Sequence, residues 1–117
     1  MKLERALRSI TALIVQCCDP EAILLFGSHA KGQGNRESDL DILVISDFRT
    51  SPYLRGDEAR GLLRRYPISI DLHLVTPEEL AAASRKPYGF YSSVLASSRI
   101  IYEKPKAQHL QSAHSGI

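Results

Sequence analysis

Three carboxylates and one Gly-Ser pair are the residues of this chain best suited to chemistry. Asp39 and Asp41 stand at i and i+2 in Ser38-Asp39-Leu40-Asp41-Ile42-Leu43-Val44. Side chains on a strand alternate faces, so both acids point the same way. Two unit charges about 4 Å apart repel by roughly 4 kcal/mol at an effective dielectric near 20. A fold keeps such a pair when a cation neutralises it or when one acid holds its proton. Gly27-Ser28 directly follows the apolar run Ile23-Leu24-Leu25-Phe26. Glycine lets the backbone of such a turn approach phosphate without a Cβ clash. The combination predicts a divalent metal beside a phosphate-holding turn.

Asp71 adds a third acid, inside Ile68-Ser69-Ile70-Asp71-Leu72-His73-Leu74-Val75. Ser69, Asp71 and His73 share one face of this strand; Ile68, Ile70, Leu72 and Leu74 share the other. Aspartate is depleted in strands, so an acid there needs a reason. If the two Asp-bearing strands are neighbours, three carboxylates converge on one or two metal ions. Hard oxygen ligands of this kind suit Mg²⁺, which also binds substrate phosphates.

Gly27-Ser28-His29-Ala30-Lys31-Gly32, then Ser38-Asp39-Leu40-Asp41, then the distal Asp71, resembles the nucleotidyltransferase superfamily with the DNA polymerase β-like fold. The short chain resembles its minimal nucleotidyltransferases, over about residues 1–104. Lys31 stands where family members often carry Arg; it keeps the charge but loses the planar fork. His29 falls at a variable position of the motif. The resemblance implies that Asp39, Asp41 and Asp71 hold two Mg²⁺ ions, with Asp71 also serving as general base. Gly27, Ser28, Lys31 and Ser38 would bind the nucleotide, with ATP as donor. An acceptor oxygen would attack the α-phosphorus, and pyrophosphate would leave.

The resemblance also implies a partner. Minimal nucleotidyltransferases are often the antitoxin of a pair whose toxin is a helical HEPN-type ribonuclease, neutralised by AMP transfer, by binding, or by both. The chain itself lacks the Arg-x4-His pattern expected of such a toxin. Two other functions fit the same residues. One is an aminoglycoside-type adenylyltransferase acting on a small molecule. The other is a non-catalytic module that holds a partner sterically.

The elements that must position these residues follow from periodicity. Leu3, Leu7, Ile10, Leu13 and Ile14 predict a helix over 3–17, broken by Asp19-Pro20. Strands are expected at 22–26, 40–46, 68–75 and 99–103. A short helical turn is expected near Ala30, and loops over 31–38 and 47–54, the latter with Ser51-Pro52. Helices are expected at 55–65, with Ala59, Leu62, Leu63 and Tyr66 on one face, and at 88–97. Thr76-Pro77-Glu78-Glu79 is a helix start, with Thr as N-cap and Glu three residues on; that helix should end near Arg85. Strands interleaved with helices predict an α/β fold, a mixed sheet of about four strands packed with helices. Residues 105–117 are polar, lack periodicity and read as a flexible tail. Tyr88, Phe90 and Tyr91 read as helix packing rather than as a base-stacking platform, and His73 as a partly exposed structural histidine.

Composition narrows the classes. At 117 residues the chain makes one domain. A net charge of +2 with scattered basic residues gives no footprint for direct nucleic-acid binding. The adjacent Cys17 and Cys18 make a poor structural disulfide, which fits a reducing cytoplasm. No apolar stretch reaches a membrane span, and the N-terminus, interrupted by Glu4 and Arg8, is unlike a signal peptide. Gly27–Gly32 has P-loop glycine spacing, but Gln33 and Gly34 stand where Lys and Ser/Thr are required. Gly32-Gln33-Gly34 lacks the third glycine of a dinucleotide fingerprint. The histidines and cysteines lack zinc spacing.

Overall fold

A computed structural model describes residues 3–34, 38–48, 56–86 and 89–105. Its elements run α1 (Leu3–Cys18), β1 (Ala22–Phe26), β2 (Leu40–Ile45), α2 (Asp57–Leu63), β3 (Ile70–Val75), α3 (Pro77–Ser84), α4 (Phe90–Ser97) and β4 (Arg99–Glu103). The four strands form one sheet in the order β3-β2-β1-β4. β1 is antiparallel to β2 and β4, and β2 is parallel to β3. The sheet is therefore mixed, as expected. α2 lies in the long connection that a parallel β2–β3 pair demands.

The inner strands are apolar because both of their faces are covered. Ile23, Leu25, Ile42 and Val44 pack on one face with Leu7, Ile10 and Ile14 of α1 and with Ala59 and Leu63 of α2. Leu24, Phe26, Leu43 and Val75 pack on the other with Val94 of α4, joined by the half-buried Leu80 and Tyr91. The carboxylates emerge on this second face.

α2 is shorter than the 55–65 expectation. It stops at Leu63, and Arg65 and Tyr66 donate only to carbonyls three residues back. Pro67 follows, and a residue before proline is pushed out of the helical region. β3 begins at Ile70, although the Leu40 N–H already donates to the Ser69 carbonyl at 2.8 Å. α3 carries the expected capping box: Thr76 Oγ1 accepts from the Glu79 N–H, and Glu79 Oε1 accepts from the Thr76 N–H. Tyr88, the Ser51-Pro52 loop and all of the expected tail except Pro105 lie outside the described residues. Among those described, no helix is long and apolar enough to cross a membrane.

Candidate active site

Parallel pairing of β2 with β3 puts Asp41 directly beside Asp71 as Cα partners, with Leu43 beside His73 one step further along. On the other side of β2, Asp41 is the partner of Phe26, the last residue of β1. Asp39 precedes β2 and is exposed. The turn after Phe26 therefore meets the carboxylates at one end of the sheet.

That turn is tight. Gly27 has φ 76°, the left-handed region that side chains disfavour. A β-carbon there would run into the Asp41 carboxylate. The Lys31 N–H reaches the Gly27 and Ser28 carbonyls at 3.3 and 3.2 Å, and the Gln33 N–H donates to the Ser28 carbonyl at 2.9 Å. The expected helical turn near Ala30 is this closed hydrogen-bonded turn. It leaves Lys31 exposed and Ser28 half-buried. Ser38 lies half-buried where the loop returns to β2.

The charges crowd as their spacing implied. The Asp41 carboxyl titrates above the ordinary carboxylate range, first because of burial and then because of the Asp71 and Asp39 charges. His73 and His29 offset part of this. Among the described residues, no three His, Cys, Asp or Glu side chains are gathered into a ready metal cluster. Asp41 is the acid that feels both of the others: Asp71 is its strand partner, and the Asp39 charge also reaches it. The donors are all hard oxygens, which fits Mg²⁺ rather than a softer metal.

Strand alternation puts His73 beside Asp71, but the contacts of His73, His29 and Phe90 at the site have no signal in the sequence. His29 Nε2 lies 3.3 Å from the Ser38 carbonyl, tying the two ends of the loop together. Its partner is a backbone atom nine residues away, which no residue pattern encodes. His73 is half-buried, and its Nε2 lies 3.1 Å from Asp71 Oδ2. Its ring centroid is 5.3 Å from that of Phe26 and 5.7 Å from that of Phe90. The helix-packing expectation holds for Tyr91 but not for Phe90, which is exposed although it begins a helix beside the acids.

The chain is similar to known proteins over most of its length. The polymerase beta, nucleotidyltransferase family matches residues 8–107. Two Methanocaldococcus jannaschii proteins bear the name "Putative protein adenylyltransferase". MJ1305 is 32% identical over 114 residues, covering 86% of this chain and 75% of its own. MJ0604 is 35% identical over 80 residues, covering 68% and 76%. A chain from a crystal structure of a toxin–antitoxin with AMP-PNP superposes with a TM-score of 0.62 at 22% identity, covering 94% of this chain and 93% of that one. The chain is a nucleotidyltransferase and belongs to the polymerase β-like nucleotidyltransferase family.

Proposed function

We propose that this enzyme transfers AMP from ATP, with Mg²⁺, to a hydroxyl group of a partner protein, and that the partner is a HEPN-type helical toxin silenced by the modification. The observation that carries the reading is the Asp41–Asp71 register beside the Gly27-Ser28 turn. The protein acceptor is supported by the two relatives named for protein adenylylation. The toxin partner and the adenine nucleotide are supported by the toxin–antitoxin likeness. The HEPN identity rests on the sequence resemblance, and a cytoplasmic setting on the unpaired cysteines. Residues 1–104 form the catalytic domain in this reading.

The chain's own groups divide the work. Ser28 and Lys31 hold the β- and γ-phosphates, aided by the close backbone approach at Gly27 and by Ser38 across the loop. Asp39 and Asp41 would hold the metal that accompanies the triphosphate, and Asp41 and Asp71 the second. Bound Mg²⁺ supplies charge neutralisation and lowers the pKa of the acceptor hydroxyl. Asp71 Oδ takes the hydroxyl proton as the acceptor oxygen bonds to the α-phosphorus. The bond from the α-phosphorus to the bridging oxygen breaks, and pyrophosphate carries that electron pair away.

The direct test is label transfer from α-labelled ATP with Mg²⁺ in lysate of the source cells. One protein band should be labelled by the wild type and not by an Asp39→Asn/Asp41→Asn double variant. Its mass should match a small helical protein. Labelling of a small hydroxylated compound instead, with no protein band, contradicts the protein acceptor. A double variant that still neutralises the toxin contradicts catalysis as the means.

A further inference from the structure

Phe90 is out of place as a packing residue. It opens α4, yet it is 54% exposed. The helix anchors itself through the buried Val94 and through Tyr91, both packed with Leu24, Leu43 and Val75. The Phe90 ring is nonetheless held in position. It meets Phe26 at 5.9 Å and 83° and Tyr91 at 5.1 Å and 73°, near-perpendicular packings that fix its plane. It lies 5.7 Å from His73, tilted by 33°. Phe26 is the strand partner of Asp41, and His73 touches Asp71, so this ring packs on the direct neighbour of each acid.

We infer that Phe90, backed by Phe26 and His73, is the platform on which the purine base of the donor nucleotide stacks. This rests on the nucleotidyl-transfer reading above. The phosphate turn follows β1, Asp41 lies on β2 and Asp71 on β3, and the three strands lie side by side. In-line displacement places the entering and leaving oxygens opposite each other across phosphorus. With pyrophosphate at the turn and the acceptor at Asp71, that axis runs along the row from β1 to β3. The nucleoside oxygen is equatorial, so the nucleoside leaves the axis sideways. Phe26 on β1 and His73 on β3 meet each other at 5.3 Å across β2, and Phe90 caps both rings at nearly equal distances, over the middle of the row. An acceptor side chain belongs at the end of the row instead. Stacking on one phenyl ring ranks purines above pyrimidines and leaves adenine and guanine close together.

The test compares ATP with inorganic tripolyphosphate, which has the charges but no base. Both are titrated with Mg²⁺ onto wild type, Phe90→Leu and Phe90→Trp by calorimetry. Phe90→Leu should bind ATP about five-fold or more weakly, the lower end of what removing a base-stacking ring costs, and tripolyphosphate unchanged. Phe90→Trp should keep ATP affinity. The native chain has no tryptophan, so this variant carries the only indole. ATP should quench its fluorescence and tripolyphosphate should not. Unchanged ATP binding in Phe90→Leu, or equal loss for both ligands, overturns the platform. So does a raised KM for the acceptor protein with ATP affinity intact, which assigns the ring to the acceptor. Failure of the wild type to bind either ligand overturns the nucleotidyl-transfer reading as well.

Discussion

The Asp41 carboxylate fills the space that a side chain on Gly27 would need. Residue 27 turns the chain with φ 76°, and residue 41 is the central acid of the site. Each therefore depends on the other: the turn closes because glycine leaves room, and Asp41 stays beside the turn because nothing displaces it. Gly27→Ala adds both backbone strain and a clash. Strain of this kind costs on the order of 1–3 kcal/mol. The expected outcome is a lower melting temperature and a loss of transfer of about 100-fold, as misplaced reacting groups produce. Steady-state kinetics and thermal melts measure both. Wild-type rates in this variant would show that the turn and the acid are not coupled.

Asp41 also carries a stability consequence. Its carboxyl titrates above the unfolded value because of burial, then Asp71 and Asp39. A raised folded pKa means that the native state holds the proton more tightly than the unfolded chain. The contribution is fully present below the unfolded value and is lost as pH rises through the folded one. Ionised Asp41 thus destabilises the metal-free fold at neutral pH. Asp41→Asn should therefore raise the melting temperature at pH 7 without metal. The gain should vanish near pH 3, and Mg²⁺ should stabilise the wild type but not the variant. Thermal melts across pH, with and without Mg²⁺, test this; a variant less stable than wild type at pH 7 contradicts it.

Much of this was legible in the sequence because the signals were local. The acids at 39 and 41 flank the start of an apolar run, and strand alternation alone puts them on one side. The strand at 22–26, the strand at 99–103 and the cap at Thr76 fall where expected. The approach of Asp71 to the other acids required that β2 and β3 be neighbours, and its pairing with Asp41 a register that the sequence left open. What stayed hidden depends on contacts between distant segments. Nothing near Phe90 says that its ring will meet Phe26 and His73, which lie on two different strands. The His29–Ser38 contact is hidden for the same reason. α2 ended early because Pro67 acts on the backbone before it, while the apolar spacing of Leu62, Leu63 and Tyr66 still suggests a longer helix.

Asp71 separates binding from chemistry. It sits on the edge strand with its side chain 57% exposed, so its replacement disturbs little packing. If its main task is to take the acceptor proton, Asp71→Asn should lower transfer by about 100- to 10,000-fold, the usual weight of a general base. Affinity for Mg²⁺-ATP should stay within a few-fold of wild type, because Asp39 and Asp41 remain. The Asp39→Asn/Asp41→Asn variant should lose both. Single-turnover rates and calorimetric ATP binding distinguish the cases. Loss of ATP binding in Asp71→Asn would make it a donor-side ligand instead.

Thr76 offers a control far from phosphate chemistry. Its hydroxyl accepts the Glu79 N–H at 3.0 Å, and the Glu79 carboxylate answers at the Thr76 N–H at 2.9 Å. Removing an N-cap hydroxyl costs about 1 kcal/mol. Thr76→Ala should therefore lower the melting temperature by about 4 °C, and Thr76→Ser should restore most of it. Well below the transition, kcat should stay at the wild-type value in both. A fall in kcat there would mean that α3 helps to shape the site.

His29 and Gly34 form the last coupled pair. The His29 ring lies over Gly34, where a β-carbon would collide with it, and its Nε2 reaches toward the Ser38 carbonyl at 3.3 Å. Gly34 has no positive φ, so alanine there meets a steric obstacle and no backbone penalty. Gly34→Ala should push the imidazole away and release the loop, raising KM for ATP several-fold. His29→Ala should raise it similarly by removing the tie. The double variant should be no worse than either single one, because the ring that alanine would strike is gone. Contacting residues show non-additivity on the order of 0.5–3 kcal/mol, well above the scatter of independent sites. Additive effects on KM would show that the two residues act separately, and that the loop is held by something other than this histidine.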